Sequence, residues 1–196
     1  MDDDLKKLQE MITVLLQDVT RCYDALDNAK DEDDRRFWAR TTVRAVFAAV
    51  GGSCEYLCSE ALKFEIQKLE KGHVSLGTLS VLSGETYYVA DDGEIRWQPI
   101  RISLKNHILF ALNSYAEAHG VIHRAKKNSK GWQSLCNAIK VRDDITHPKS
   151  IKALQITPAQ ILDVREAFIW FHNQLAAIFR EKSCDMPDYQ DWLKSQ

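Results

Sequence analysis

An arginine and a histidine five residues apart are the chain's leading candidates for chemistry. Arg142 and His147 lie within the segment Val141–Pro148. Arginine stays protonated and can hold two phosphate oxygens at once, whereas histidine titrates near neutrality and can take or give a proton. Pro148 disfavours helical geometry at His147, which would fix the backbone that carries the ring. The pair suits phosphate chemistry, and an ordinary pair of loop side chains is the alternative.

The segment around this pair is strongly basic. Residues 121–152 carry eight basic side chains and two acidic ones, a local charge of +6 in a chain of net charge −2. Residues 1–34 carry eleven acids and four bases, which amounts to −7. A clustered basic surface is what binding to a polyanion requires, and a solvated loop whose charge only aids solubility is the alternative. The candidate phosphate-binding residues are Lys126, Lys127, Lys130, Lys140 and Lys149.

Two other pairs have the spacing of a metal site. His119 and His123 are four residues apart, but the metalloprotease glutamate is missing and Gly120 weakens a helix there, so a polar helix end is expected. Cys54 and Cys58 lie one helical turn apart. Buried packing thiols are expected, because a zinc site would need a second ligand pair. We therefore expect no metal and no cofactor.

Length and composition are those of an ordinary globular protein. The chain has 196 residues, of which 45% are hydrophobic and 28% charged. No apolar run approaches the ~20 residues that cross a bilayer, and the acidic start does not resemble a secretory signal. An odd number of cysteines, five, indicates reduced thiols. These features predict one domain over residues 1–196 of a cytoplasmic protein that does not enter a membrane.

Hydrophobic periodicity predicts an all-α fold. Apolar residues at steps of three and four indicate amphipathic helices. The predicted helices are four long ones, at about 5–26, 35–69, 103–119 and 157–182, and a short one at about 131–141. Thr157 suits the N-cap of the last helix and Pro158 its first position, whereas Asp31–Asp34 indicates a turn. Long helices joined by short connections suggest an antiparallel bundle.

Three segments interrupt this pattern. β-branched and aromatic residues around Asp92-Gly93 predict a small β-hairpin inserted at about 79–101. Gly51-Gly52, inside the second helix, indicates either a kink or a close helix crossing. Residues 183–196 are predicted to form a polar tail.

The stretch from Arg142 to His147 resembles the Arg-x4-6-His motif of the HEPN superfamily, the higher eukaryotes and prokaryotes nucleotide-binding domains. Members of that superfamily are helical bundles of about this size, with the motif just before the last long helix and often followed by proline, as Pro148 follows here. The resemblance implies a metal-independent endoribonuclease of toxin–antitoxin or antiviral systems. It also implies a homodimer in which two copies of the motif face each other across a cleft.

The resemblance also implies roles for individual residues. His147 would assist transfer involving the ribose 2′-hydroxyl, and Arg142 would bind and neutralise the scissile phosphate. Asp143 occupies a polar position that is often asparagine in the superfamily, and its carboxylate could orient His147 or Arg142 or could repel RNA. Lys140 and Lys149 would be supporting phosphate contacts. Lys149 also stands where some of these toxins carry a tyrosine that is silenced by nucleotide transfer, so that regulation is not implied.

The superfamily also contains members without cleavage activity, which act as interaction or dimerisation modules. In such members the Arg–His pair ties the last connection to the bundle. The partner would then be another protein, contacted through the acidic N-terminal segment, or that segment would contact the basic segment of a second copy of the chain. Both alternatives predict a dimer. Only the ribonuclease alternative predicts that loss of the His147 imidazole abolishes activity while the fold survives.

Overall fold

The structure, a computed structural model, describes residues 3–69 and 75–181 and is mostly helical within them. Its helices are α1 (Asp3–Asp27), α2 (Glu32–Leu69), α3 (Leu76–Leu82), α4 (Leu104–Ala118), α5 (Lys130–Thr146), a 3-10 helix (Ile151–Leu154) and α6 (Pro158–Glu181). Strands β1 (Glu85–Val89) and β2 (Ile95–Pro99) pair antiparallel. The predicted all-α fold with a small hairpin is confirmed. The predicted polar tail, residues 183–196, lies outside the described residues.

The chain folds as two compact units. The first, here called the motif unit because it holds Arg142 and His147, comprises Met1–Ser53 and Ala125–Gln196. The second, here called the hairpin unit, comprises Cys54–Arg124. The division falls inside α2, and the single domain over residues 1–196 stays a prediction. In the described ranges no helix is both long enough and apolar enough to cross a bilayer.

In the motif unit, α1 runs antiparallel to the first part of α2. Thr42 Oγ1 donates a hydrogen bond to Cys22 O at 3.2 Å, so the end of α1 meets the start of α2. Towards the other end, a Cβ added at Gly52 would lie 3.7 Å from Leu15 Cδ1, and one at Gly51 would meet nothing within 4 Å. Both positions therefore leave room for a side chain. The packing of α1 on α2 therefore does not require glycine at either position.

A close approach that does require glycine joins α5 to α6. A Cβ added at Gly131 would lie 2.7 Å from Trp170 Cβ, which is far inside van der Waals contact. The Trp170 side chain is buried, its ring centroid lies 5.3 Å from that of Trp132, and its Nε1 donates to Lys126 O at 3.3 Å. This contact fixes the start of α5 and the loop before it against α6.

The two helices run antiparallel from this contact. Asn137 Nδ2, further along α5, donates to Asp163 Oδ2 at 3.1 Å, and Asp163 precedes Trp170 on α6. At the start of α6, Gln160 N donates to Thr157 Oγ1 at 3.3 Å and Thr157 N donates to Gln160 Oε1 at 2.8 Å. This reciprocal pair is a capping box, and it confirms the predicted N-cap of the last helix.

Two predicted boundaries are wrong. The short fourth helix, predicted to end near Val141, continues to Thr146 and at 17 residues is longer than α4 at 15. It continues because Val141 and Ile145 are buried and extend the apolar stripe of α5 for another turn. The predicted turn Asp31–Asp34 is also shorter, because α2 already begins at Glu32. Asp31 caps the helix, since its Oδ1 accepts a hydrogen bond from Asp34 N at 2.8 Å. The remaining acids of the segment lie in the first turn of α2, where negative charge suits the helix N-terminus.

In the hairpin unit the predicted hairpin is confirmed, with Tyr87 opposite Trp97 and Thr86 opposite Gln98. The turn uses Gly93 at φ +81°, a conformation that favours glycine. The insertion predicted at about 79–101 nevertheless begins with a helix, α3. Ser75 initiates α3 by accepting a hydrogen bond from Thr78 N.

We expect Gly131→Ala to lower the free energy of unfolding. Overpacking against Trp170 costs about 1–3 kcal/mol, and replacing a helical glycine recovers at most about 1 kcal/mol. Gly51→Ala is the matched control, since it lies in α2 with open space around it and is expected to stabilise by up to about 1 kcal/mol. Urea denaturation measures both, and a stabilising Gly131→Ala would show that α5 does not pack so closely.

Candidate active site at the end of α5

The predicted motif lies at the C-terminal end of α5. Arg142 belongs to the helix, and Thr146 Oγ1 donates to Arg142 O at 2.7 Å. His147 is the C-cap residue, with φ −126° and ψ 62°, and its backbone N–H donates to Asp143 O at 2.9 Å. The departure from helical geometry that Pro148 predicts for His147 is thus confirmed. The short helix predicted to end near Val141 thus extends past Arg142.

Both chemistry-bearing side chains are accessible while the helix beneath them is anchored. The His147 residue is exposed and the Arg142 side chain is 38% exposed, whereas Val141 and Ile145 are buried in the motif unit. Within the described residues, no hydrogen bond joins the Arg142 guanidinium to the His147 ring. Neither side chain therefore blocks the other from an external ligand.

Asp143 is paired with the arginine and not with the histidine. Its Oδ1 lies 2.8 Å from Arg142 Nη1, and the two side chains are 53% and 38% exposed. The sequence left open whether this carboxylate contacts His147, contacts Arg142 or repels RNA, and the structure shows the contact with Arg142. Such an exposed pair stabilises by only about 0–1 kcal/mol, so a phosphate can compete for the guanidinium.

The predicted lysines divide between the two ends of α5. All five are exposed: Lys126, Lys127, Lys130, Lys140 and Lys149. The first three lie at the N-terminal end, and the twelve residues from Lys130 to Arg142 rise about 18 Å along the helix. Lys140 and Lys149 lie at the end that carries the motif. The basic segment is thus not one patch around Arg142, although its charge is continuous along the chain.

A row of arginines on α2 was missed in the sequence. Arg36, Arg40 and Arg44 line one cleft of about 420 Å³ together with Asp33, Ile151, Leu154 and Gln155. Arg40 Nη1 donates to Leu154 O at 3.4 Å. The repeat of four within a predicted helix places these arginines on one face, and that spacing was the available signal. The arginines lie far along the chain from the basic segment, so the sequence did not predict that they approach residues 151–155.

A thiol–imidazole–carboxylate cluster lies in the hairpin unit. Cys58 Sγ is 3.6 Å from His107 Nε2, which is 3.9 Å from Glu55 Oε1, beside a cavity of about 260 Å³. A thiol beside an imidazole is an arrangement found in nucleophilic catalysis. Here, however, burial, together with the Glu55 carboxylate, raises the pKa of Cys58 to about 11. The thiol is therefore protonated at neutral pH.

The metal-like spacings take the structural roles expected of them. Cys54 and Cys58 are buried, and burial also raises the pKa of Cys54 far above its ordinary value, so the predicted packing thiols are confirmed. His119 caps the end of α4 and Gly120 follows at φ +71°, which places His123 beyond the helix. Across the described ranges, no three His, Cys, Asp or Glu side chains are grouped to hold a metal ion.

No protein-family model, curated protein or solved structure matches the chain. The likeness to the HEPN superfamily therefore rests on Arg142, His147, Pro148 and their position ahead of α6.

We expect iodoacetamide at pH 8 to label Cys58 much more slowly than the less buried Cys136. With a pKa of about 11, only about one Cys58 thiol in a thousand is ionised at that pH, and the thiolate is the reactive species. Peptide mass spectrometry of native and urea-denatured protein measures the rate at each cysteine. Native labelling of Cys58 as fast as Cys136 would instead indicate a thiolate held by the His107 imidazolium.

Proposed function

We propose that this protein is a metal-independent endoribonuclease of the HEPN type. The observation that carries the proposal is the joint presentation of Arg142 and His147 on the accessible C-terminal end of α5, shortly before α6 begins. Arg142 stands on an anchored helix and His147 on a backbone held by the cap hydrogen bond to Asp143 O. Fixed backbones of this kind favour catalysis because the reacting groups need little reorganisation.

The reaction follows from the two side chains. The His147 imidazole takes the proton of a ribose 2′-hydroxyl, the 2′-oxygen forms a bond to phosphorus, and the bond from phosphorus to the 5′-oxygen breaks. The departing 5′-oxygen takes up a proton from water, and the imidazolium of His147 then returns its proton to solvent. The Arg142 guanidinium neutralises the charge that develops on the phosphate oxygens, after the phosphate displaces Asp143 from it. Lys140 and Lys149 supply further positive charge along the strand.

A homodimer is part of the proposal. One chain contributes one arginine and one histidine that no hydrogen bond joins, and a second copy would place another pair opposite them. The cytoplasm is the location proposed, and the role is that of a toxin or an antiviral nuclease. An antitoxin would act by covering this end of α5.

The second candidate is a non-catalytic interaction module. The observation that favours it is the Arg142–Asp143 ion pair at 2.8 Å, which gives the guanidinium a partner within its own chain. In that case the exposed end of α5 contacts a protein or a second copy of the chain.

We expect the purified protein to cleave total cellular RNA in EDTA and His147→Ala to lower that activity by about 10²-fold or more, the usual contribution of a general base. Circular dichroism and thermal unfolding establish that the variant is folded. Arg180→Ala, near the far end of α6, is the surface control and is expected to retain activity.

Three results would contradict the proposal. Cleavage that survives in His147→Ala excludes this residue as the base, and cleavage lost in EDTA excludes a metal-independent reaction. No cleavage by any of the proteins across several classes of RNA favours the interaction module.

We expect Asp143→Asn to tighten RNA binding more than Asp144→Asn, by up to about five-fold, because an exposed ion pair is worth at most about 1 kcal/mol. Both changes remove one exposed negative charge, but only Asp143 holds Arg142. Fluorescence anisotropy in a His147→Ala background measures binding without cleavage. Equal effects would mean that Asp143 does not compete with RNA for the guanidinium.

A further inference from the structure

One cleft of the motif unit is arranged to bind a charged strand along its length. It is here called the arginine cleft and is lined by Arg36, Arg40 and Arg44 with Ile151, Leu154 and Gln155. The arginines recur every four residues on α2, so successive guanidinium groups start about 6 Å apart along the helix axis. The opposite wall belongs to the 3-10 helix and the residue after it. Regularly spaced positive charge over a partly apolar wall suits an extended phosphodiester better than a single small anion.

Two of the three guanidinium groups have no acidic partner among the described residues. Arg36 is paired with Glu32 at 3.0 Å and lies 3.8 Å from Asp33. Arg40 donates to the Leu154 carbonyl, and neither it nor Arg44 forms an ion pair with any described residue. Asp33 is the one acidic side chain among the described residues that line the cleft. The cleft therefore presents uncompensated positive charge, as an anion-binding surface does.

One wall of the cleft lies close along the chain to the candidate active site. The 3-10 helix that forms one wall packs against α5. Ile151 is four positions after His147, so their backbones are at most about 14 Å apart. The intervening Lys149 and the following Lys152 are exposed. A strand a few nucleotides long can therefore contact both places at once.

We propose that the arginine cleft binds the phosphate backbone of single-stranded RNA and leads the strand to Arg142 and His147. The inference rests on the proposed function in taking this strand to be the nuclease's substrate. Arg40 and Arg44 hold phosphate oxygens through the planar fork of the guanidinium, and Ile151 and Leu154 contact sugars and bases. The volume of about 420 Å³ is that of a small-ligand site, so the cleft holds only part of an unpaired strand at a time and is too small for a duplex.

The test is binding of a fluorescent single-stranded RNA 12-mer to the full chain in a His147→Ala background, across a salt series. Arg44→Gln is the primary variant, because Arg44 is exposed and its side chain forms no hydrogen bond with another described residue. Arg40→Gln and Arg40→Lys follow, the second keeping the charge without the fork. Arg180→Gln is the matched control, about 33 Å along α6 from Pro158.

We expect Arg44→Gln and Arg40→Gln each to weaken binding about five-fold or more and to reduce the slope of log affinity against log salt by about one. Arg40→Lys is expected to keep the slope and lose affinity, and Arg180→Gln to change affinity less than two-fold. Wild-type affinity and slope in Arg44→Gln would overturn the inference. So would equally tight binding of a duplex of the same length.

Failure of this inference is distinguishable from failure of the proposed function. If His147→Ala abolishes cleavage and the cleft variants bind RNA normally, the nuclease proposal holds and the cleft does not bind its substrate. If the cleft variants lose RNA binding while no protein cleaves RNA, the cleft stands as an RNA-binding site without nuclease activity.

Discussion

The placement of the candidate active site depends on the contact between α5 and α6 at Gly131. Only a residue without a Cβ allows α5 to approach the Trp170 Cβ so closely. The same tryptophan holds Lys126 O through its indole N–H, so the loop before α5 is tied to the core. From this fixed start, the buried Val141 and Ile145 hold the far end of the helix on the bundle. Arg142 is presented from a rigid element because the interior of the unit is closely packed.

The electrostatics of the motif unit depend on competition for guanidinium groups. Arg142 has a local carboxylate partner in Asp143, and Arg36 has two on its own helix. Arg40 and Arg44 have none among the described residues. Exposed ion pairs are weak, so a polyanion that reaches both α2 and the end of α5 gains charge-assisted contacts at little cost. The overall charge of −2 conceals this local surface.

The nuclease and the interaction module share the same exposed end of α5. They differ in whether the Arg142 guanidinium binds a phosphate or the Asp143 carboxylate more tightly. If a phosphate displaces Asp143, Arg142 becomes a transition-state contact. If Asp143 retains Arg142, that end of the helix is a neutral recognition surface. The hairpin unit offers no rival of comparable strength among its described residues, since its thiol cluster holds Cys58 protonated and a thiol reacts as the thiolate.

The sequence by itself determined the features that local physics controls: the amphipathic stripes of the helices, the cap at Thr157, the hairpin around Gly93 and the non-helical backbone of His147 before Pro148. Each depends on side chains within a few residues of one another. Tertiary structure alone decided the extension of α5 past Val141, because burial against the bundle stabilises the last turn of the helix. It also separated the lysines along that helix and brought the α2 arginines to residues 151–155. Charge along a chain does not record which elements pack together, so these juxtapositions arise only when the core forms.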